Sequence, residues 1–85
     1  MTAAVSVRLY ATAREAAGTD TIRRRISSEG VVLRHLLHEL AEGRPALARI
    51  LRHSRIARNG IYVASLRTKV YPGDELAVHL PYSGG

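Results

Sequence analysis

The residues with the clearest chemical potential close the chain: Pro81-Tyr82-Ser83-Gly84-Gly85. The reactive group there is the α-carboxylate of Gly85. With a pKa of roughly 3.3 to 3.7 it is an anion at neutral pH and must be activated before a nucleophile can attack it. Pro81 ends strand pairing, and Gly84 and Gly85 remove side-chain bulk beyond Ser83. The segment therefore reads as a thin, flexible strand of at most roughly 17 Å, able to thread a narrow channel and deliver its carboxylate to a site in another protein. A frayed terminus can also end in two glycines, so the pair alone leaves both readings open.

Other chemistry is restricted by residue type. The chain has no cysteine, which excludes disulfides, thiolate metal sites and thiol nucleophiles, so any sulfur chemistry must use another atom. His35 and His38 stand three apart on a helical pattern, yet no acidic or thiolate residue follows at ligand spacing, and no metal site is expected. Tyr71 and Tyr82 read as packing or docking groups rather than general acids. A chain of 85 residues forms one domain and buries only about 60 to 65% of its unfolded surface, too little to enclose a large active site. Its chemistry is expected at the surface or inside a partner.

With 46% hydrophobic and 24% charged residues, the composition is that of a folded domain, here expected over residues 1–80. Met1-Thr2-Ala3-Ala4-Val5 lacks the basic start and apolar run of a signal peptide, and no segment approaches the roughly 20 apolar residues of a membrane span. The expectation is a cytoplasmic protein without a membrane partner. The net charge is +6, and no acid occurs between Gly43 and Gly73, where Arg44, Arg49, Arg52, Arg55, Arg58, Arg67 and Lys69 fall. Such a stretch suits a solvated face or an acidic protein partner. Nucleic acid ranks last, because no base-stacking motif accompanies the charge.

The elements that must position the tail follow from periodicity. Val5, Val7 and Leu9 alternate with Ser6, Arg8 and Tyr10, predicting a strand over about 5–12. Residues 13–17 suit one helical turn ended by Gly18, and 19–27 resume strand spacing with Ile22 and Ile26 on one face. Arg24 interrupts that face, so the strand belongs at an edge or its arginine reaches back to water. Leu33, Leu36, Leu37 and Leu40 form the apolar stripe of a helix over about 32–42, stopped by Gly43. Pro45 starts a second helical piece to about His53. Asn59-Gly60 predicts a type I′ hairpin joining 55–58 to 61–64, and Pro72-Gly73 a type II turn before a last strand over 74–80. The order implies an α+β fold, a four- to five-stranded sheet packed on one main helix. First and last strands running parallel would make it a β-grasp, although a split βαβ order can be drawn from the same elements.

Four pieces of the chain, in this order and spacing, carry a resemblance. They are residues 8–18 (Arg8-Leu9-Tyr10-Ala11-Thr12-Ala13-Arg14-Glu15-Ala16-Ala17-Gly18), Asn59-Gly60 with Val63, residues 70–78 (Val70-Tyr71-Pro72-Gly73-Asp74-Glu75-Leu76-Ala77-Val78), and the ending Ser83-Gly84-Gly85. Together they resemble the MoaD/ThiS family of ubiquitin-like sulfur carriers over nearly the whole chain, and within it the molybdopterin synthase small-subunit branch. The family's usual two prolines and small β-branched residue before the final Ser/Thr-Gly-Gly are replaced here by Leu80-Pro81-Tyr82, which bears on the pathway.

The resemblance implies a ubiquitin-like β-grasp fold and a carrier, not an independent enzyme. An E1-like, MoeB-type enzyme would use ATP and Mg²⁺ to adenylate Gly85, and a sulfurtransferase persulfide would convert it to a thiocarboxylate. The tail, Pro81 to Gly84, would then thread into the MoaE-type large subunit of molybdopterin synthase. No cofactor would be bound stably by the chain itself. Tyr10, Tyr62 and His79 lie opposite the core-facing residues of their strands, where the family presents a patch to its partners, and are the docking candidates. The same ending would suit a ubiquitin-like protein modifier or a carrier for transfer-RNA, thiamin or cysteine pathways. An RNA-binding domain built on the Arg44 to Lys69 region is the remaining alternative.

Overall fold

The structure is a computed structural model in which residues 4–80 are described. Strand β1 (Ala4–Leu9) buries Val5, Val7 and Leu9 completely or nearly so and turns Ser6 and Arg8 to the other side, as period-2 alternation requires. It stops earlier than alternation suggests. Ala11 takes a positive φ of 50° and opens helix α1 (Ala11–Ala17), seven residues rather than one turn, because the run Ala11-Thr12-Ala13-Arg14-Glu15-Ala16-Ala17 is rich in helix formers. Gly18 closes α1 in the left-handed conformation, its N–H donating to the Arg14 carbonyl.

Strand β2 (Thr21–Arg25) is shorter than 19–27, and Arg24 is exposed on it, consistent with an edge position. A two-residue strand β3 (Val31–Val32) leads into helix α2 (Leu33–Ala41). The four leucines of its stripe are all buried, each worth on the order of 1.5 to 3 kcal/mol of apolar burial. Helix α3 (Pro45–Arg52) begins on its proline and buries Leu47, with Arg49 and Arg52 exposed. Strands β4 (Arg55–Arg58) and β5 (Ile61–Tyr62) form the Asn59-Gly60 hairpin, with φ of 51° and 87° at the two turn residues. Strand β6 (Lys69–Val70) pairs with β3 in a two-stranded ribbon, and β7 (Glu75–His79) closes the chain's regular structure.

The main sheet has five strands in the order β2-β1-β7-β4-β5. Strands β1 and β7 are adjacent and parallel, and the other neighbours are antiparallel, which selects the β-grasp over the split βαβ order. Val5, Val7, Leu9, Ile56, Leu76 and Val78 cover one sheet face and meet Leu33, Leu36, Leu37 and Leu40 of α2 in one core. Beside the main helix α2 stand the two shorter pieces expected from the sequence: α1 and α3 lie against each other, and α3 also against α2. None is long and apolar enough to cross a membrane among the described residues.

Candidate functional site

The sheet face turned away from the helices is set by register. Arg8 of β1 pairs with Ala77 of β7, Ala77 with Ala57 of β4, and Ala57 with Tyr62 of β5, so these four residues form one row across the sheet. In the neighbouring row Arg55 pairs with His79, and Tyr10, one residue past the Leu9–Val78 pair, stands on the other side of His79. Small side chains at Ala57 and Ala77 leave the middle of the first row low, and larger ones rise around it.

This placement brings the three docking candidates together. The Tyr10 and His79 rings stack with centroids 5.2 Å apart and an interplanar angle of 19°, and Tyr62 meets His79 edge-on at 5.8 Å and 83°. Both geometries are favoured by the ring quadrupoles. Arg55 completes the group, its guanidinium carbon lying 4.5 Å from the Tyr62 ring centroid. Tyr10 and Tyr62 remain 45% and 50% exposed, so the cluster is organised yet open to a partner. Sequence patterning placed Tyr10, Tyr62 and His79 on this face but assigned Arg55 only to a basic run. The signal for it was local: Arg55 starts the strand whose hairpin mate carries Tyr62.

The cluster flanks the point where the tail departs. Because β1 and β7 are parallel, Tyr10 and His79 stand at the same end of the sheet, and β7 ends there. Leu80, the last described residue, is exposed. Pro81, Tyr82, Ser83, Gly84 and Gly85, the tail-threading and activated residues of the sequence reading, lie outside the described residues.

A clamp at the opposite end of β7 holds this strand in register. The Asn59 side chain donates from Nδ2 to Asp74 Oδ1 (3.0 Å) and accepts the Glu75 N–H on Oδ1 (2.9 Å), while its own N–H donates to the Glu75 carbonyl (2.8 Å). Asp74 Oδ2 accepts the Tyr71 N–H (2.8 Å) across the Pro72-Gly73 turn, where Gly73 has a φ of 93°. The two sequence turns are thus joined through one aspartate. They bind the β4–β5 hairpin to the strand that carries His79.

The acid-free basic stretch does not act as one surface. Arg58 donates to the Lys69 carbonyl and Lys69 to the Glu29 carbonyl, so both tie loops together, while Arg55 belongs to the aromatic cluster. Arg44, Arg49 and Arg52 stay exposed at or on α3. His35 and His38 are exposed on α2, and among the described residues no three His, Cys, Asp or Glu side chains are grouped to hold a metal.

Residues 7–85 match the ThiS family. Among solved structures, small archaeal modifier protein 1 (SAMP1) from Haloferax volcanii is 31% identical with a TM-score of 0.79, the alignment covering 96% of this chain and 99% of that one. A Pyrococcus furiosus protein assigned as molybdopterin converting factor subunit 1 is 26% identical, with a TM-score of 0.79 and coverage of 93% and 98%. A complex of subunits 1 and 2 of molybdopterin-converting factor from Helicobacter pylori shares the fold at 21% identity, a TM-score of 0.69 and coverage of 96% and 99%. No curated protein sequence matches the chain significantly.

Proposed function

Because this chain belongs to the ThiS family of small ubiquitin-like sulfur carriers, we propose that it carries sulfur on the carboxylate of Gly85 and delivers it for molybdopterin synthesis. The observation that carries this reading is that the family match runs through residue 85 and so takes in the Ser83-Gly84-Gly85 ending. The chain supplies the carried group and the docking face. Catalytic residues belong to its partners.

In the first step a Gly85 carboxylate oxygen attacks the α-phosphorus of ATP within an E1-like enzyme, with Mg²⁺, and pyrophosphate leaves. The acyl-adenylate gives the carbonyl carbon a leaving group, which the free carboxylate lacks. A persulfide sulfur supplied by a sulfurtransferase then displaces AMP, and cleavage of the sulfur–sulfur bond by a thiol leaves the thiocarboxylate. With no cysteine in the chain, the transferable sulfur has the terminal carbonyl as its place. Residues 81–84 would thread the tail into a MoaE-type large subunit, where the pterin precursor accepts the sulfur. The Tyr10, Tyr62 and His79 cluster, at the tail's point of departure, would dock against each partner in turn.

Similarity to the Pyrococcus furiosus protein supports the molybdopterin branch, and the fold shared with the Helicobacter pylori subunit, found in complex with subunit 2, is compatible with a similar pairing. The likeness to small archaeal modifier protein 1 favours a second reading, in which activated Gly85 is joined to lysines of other proteins. Both share the adenylate. Intact-mass analysis after incubation with ATP, a competent activating enzyme and a sulfur source tests the first: one oxygen at Gly85 is replaced by sulfur, and failure to see that replacement refutes the carrier reading. Gly-Gly remnants on lysines of cellular proteins, without a thiocarboxylate, would establish the modifier instead.

A further inference from the structure

Of the two edges of the main sheet, β5 has two residues and cannot template much pairing, while β2 has five. Which backbone groups of β2 are free follows from one bond. Leu9 N–H donates to the Asp20 carbonyl (2.9 Å), and antiparallel alternation then makes Val7–Ile22 and Val5–Arg24 the bonded pairs. The N–H and C=O groups of Thr21, Arg23 and Arg25 therefore point away from the sheet. At Thr21 both are occupied by the Thr19 hydroxyl, which donates to the carbonyl and accepts from the N–H. At Arg23 and Arg25 neither is taken up among the described residues, which leaves a short open ladder.

Side chains around that ladder are sorted by face. Arg23 and Arg25 pair with Ser6 and Ala4 and so project on the face away from the helices. On the helical side, a shallow groove beside the end of β2 is lined by apolar Ile26, Val31 and Leu36, with Glu39 of α2 at its polar margin. A strand added to β2 would send alternate side chains to these two faces. One set would meet the Arg23 and Arg25 guanidinium groups; the other would pass Ile22 and the exposed Arg24 to reach the apolar groove, whose one acid, Glu39, disfavours further carboxylates.

We propose that the edge of β2 and the adjoining groove form a docking site for an extended protein segment in which acidic and apolar residues alternate, added as a sixth strand. A charged edge commonly serves to prevent self-pairing, and a second copy of β2 would bring its own three arginines against these. That repulsion excludes like chains and leaves an acidic strand as the complementary occupant. Nucleic acid fits less well: among the described residues no aromatic ring lines this edge, and one face each of Tyr62 and His79 is engaged by Arg55 and Tyr10. The site uses neither the tail nor its activation, so it stands apart from the sulfur-carrier reading.

The test is titration of the ¹⁵N-labelled full chain with a capped six-residue peptide of alternating glutamate and valine. The amides of Arg23 and Arg25 are expected to shift and gain protection from hydrogen exchange, while Ile22 and Arg24, already bonded to β1, gain none. A lysine–valine peptide should bind at least about tenfold more weakly, since exposed ion pairs contribute a few tenths to 1 kcal/mol each and like charges oppose binding. The double variant Arg23→Glu/Arg25→Glu, its spectrum otherwise unchanged, should reverse that preference. Any of four results overturns the proposal: no response at these amides, equal binding of both peptides, concentration-dependent self-pairing through the same amides, or displacement of the peptide from them by a single-stranded oligothymidylate.

Discussion

Replacing Tyr62 by alanine separates docking from folding. Half of the Tyr62 surface is already exposed, so truncation forfeits little burial, and its intramolecular partners are few: the edge contact to His79 at 5.8 Å and the Arg55 guanidinium at 4.5 Å. An exposed cation–π contact is worth about 0.5 to 1 kcal/mol and an aromatic pair about 0.5 to 1.5, which puts the stability loss at roughly 1 to 2.5 kcal/mol. For a domain of this size that lowers the melting temperature by roughly 4 to 20 °C and leaves the variant folded at 25 °C. A tyrosine at the centre of a docking surface costs more when truncated, about 2 kcal/mol or above, or roughly 30-fold in apparent affinity. Circular-dichroism melting gives the first quantity. The kcat/KM for ATP–pyrophosphate exchange by a competent activating enzyme, with the chain as varied substrate, gives the second. Tyr62→Phe, which keeps the ring, should rescue most of the loss. If Tyr62→Ala melts as expected but is adenylated with the native kcat/KM, the aromatic cluster is not the docking surface.

Three further outcomes are expected. Deleting Gly85 should abolish adenylation and sulfur loading in the intact-mass assay while the melting curve stays unchanged, because the described core lies entirely within residues 4–80. Asn59→Ala should cost roughly 1 to 3 kcal/mol in urea unfolding, since it strips two side-chain bonds from the clamp on β7, leaves the Glu75 N–H without that acceptor and keeps a φ of 51° on a residue less suited to it. Gly30→Ala should also destabilise, by about 1 to 3 kcal/mol or more: Gly30 has a φ of 89°, and an added Cβ would stand 2.7 Å from the Tyr71 ring and 2.9 Å from the Val70 carbonyl oxygen. Loss of less than half a kcal/mol in either denaturation series would count against the corresponding geometry.

Much of this fold was legible because its signals are local. Alternation at Val5, Val7 and Leu9, the leucine stripe of α2, and the glycines that accept positive φ at residues 18, 60 and 73 each act over a few residues, and each produced the expected element within a few positions. Periodicity failed where elements are too short to display a period. The β3–β6 ribbon has two residues per strand, and only its pairing across nearly 40 positions of sequence creates it. The end of β1 was misjudged for a related reason: Tyr10, Ala11 and Thr12 can continue a strand by composition, and the chain instead turns at Ala11 to lay α1 against α3.

The candidate site divides along the same line. Residue order alone assigned the Gly-Gly ending, the absence of a thiol, and the face on which Tyr10, Tyr62 and His79 lie, because these depend on composition and on alternation within single strands. Their convergence was decided by tertiary structure. It requires β7 to run beside β1 in parallel and β4 beside β7 in antiparallel register, and a shift of either pairing by one residue would send the side chains to opposite faces. The open ladder at Arg23 and Arg25 has the same origin. Arg24 in the apolar face of its strand already suggested an edge; sheet order establishes it, and hydrogen-bond parity determines which backbone groups of the three arginines a partner can reach.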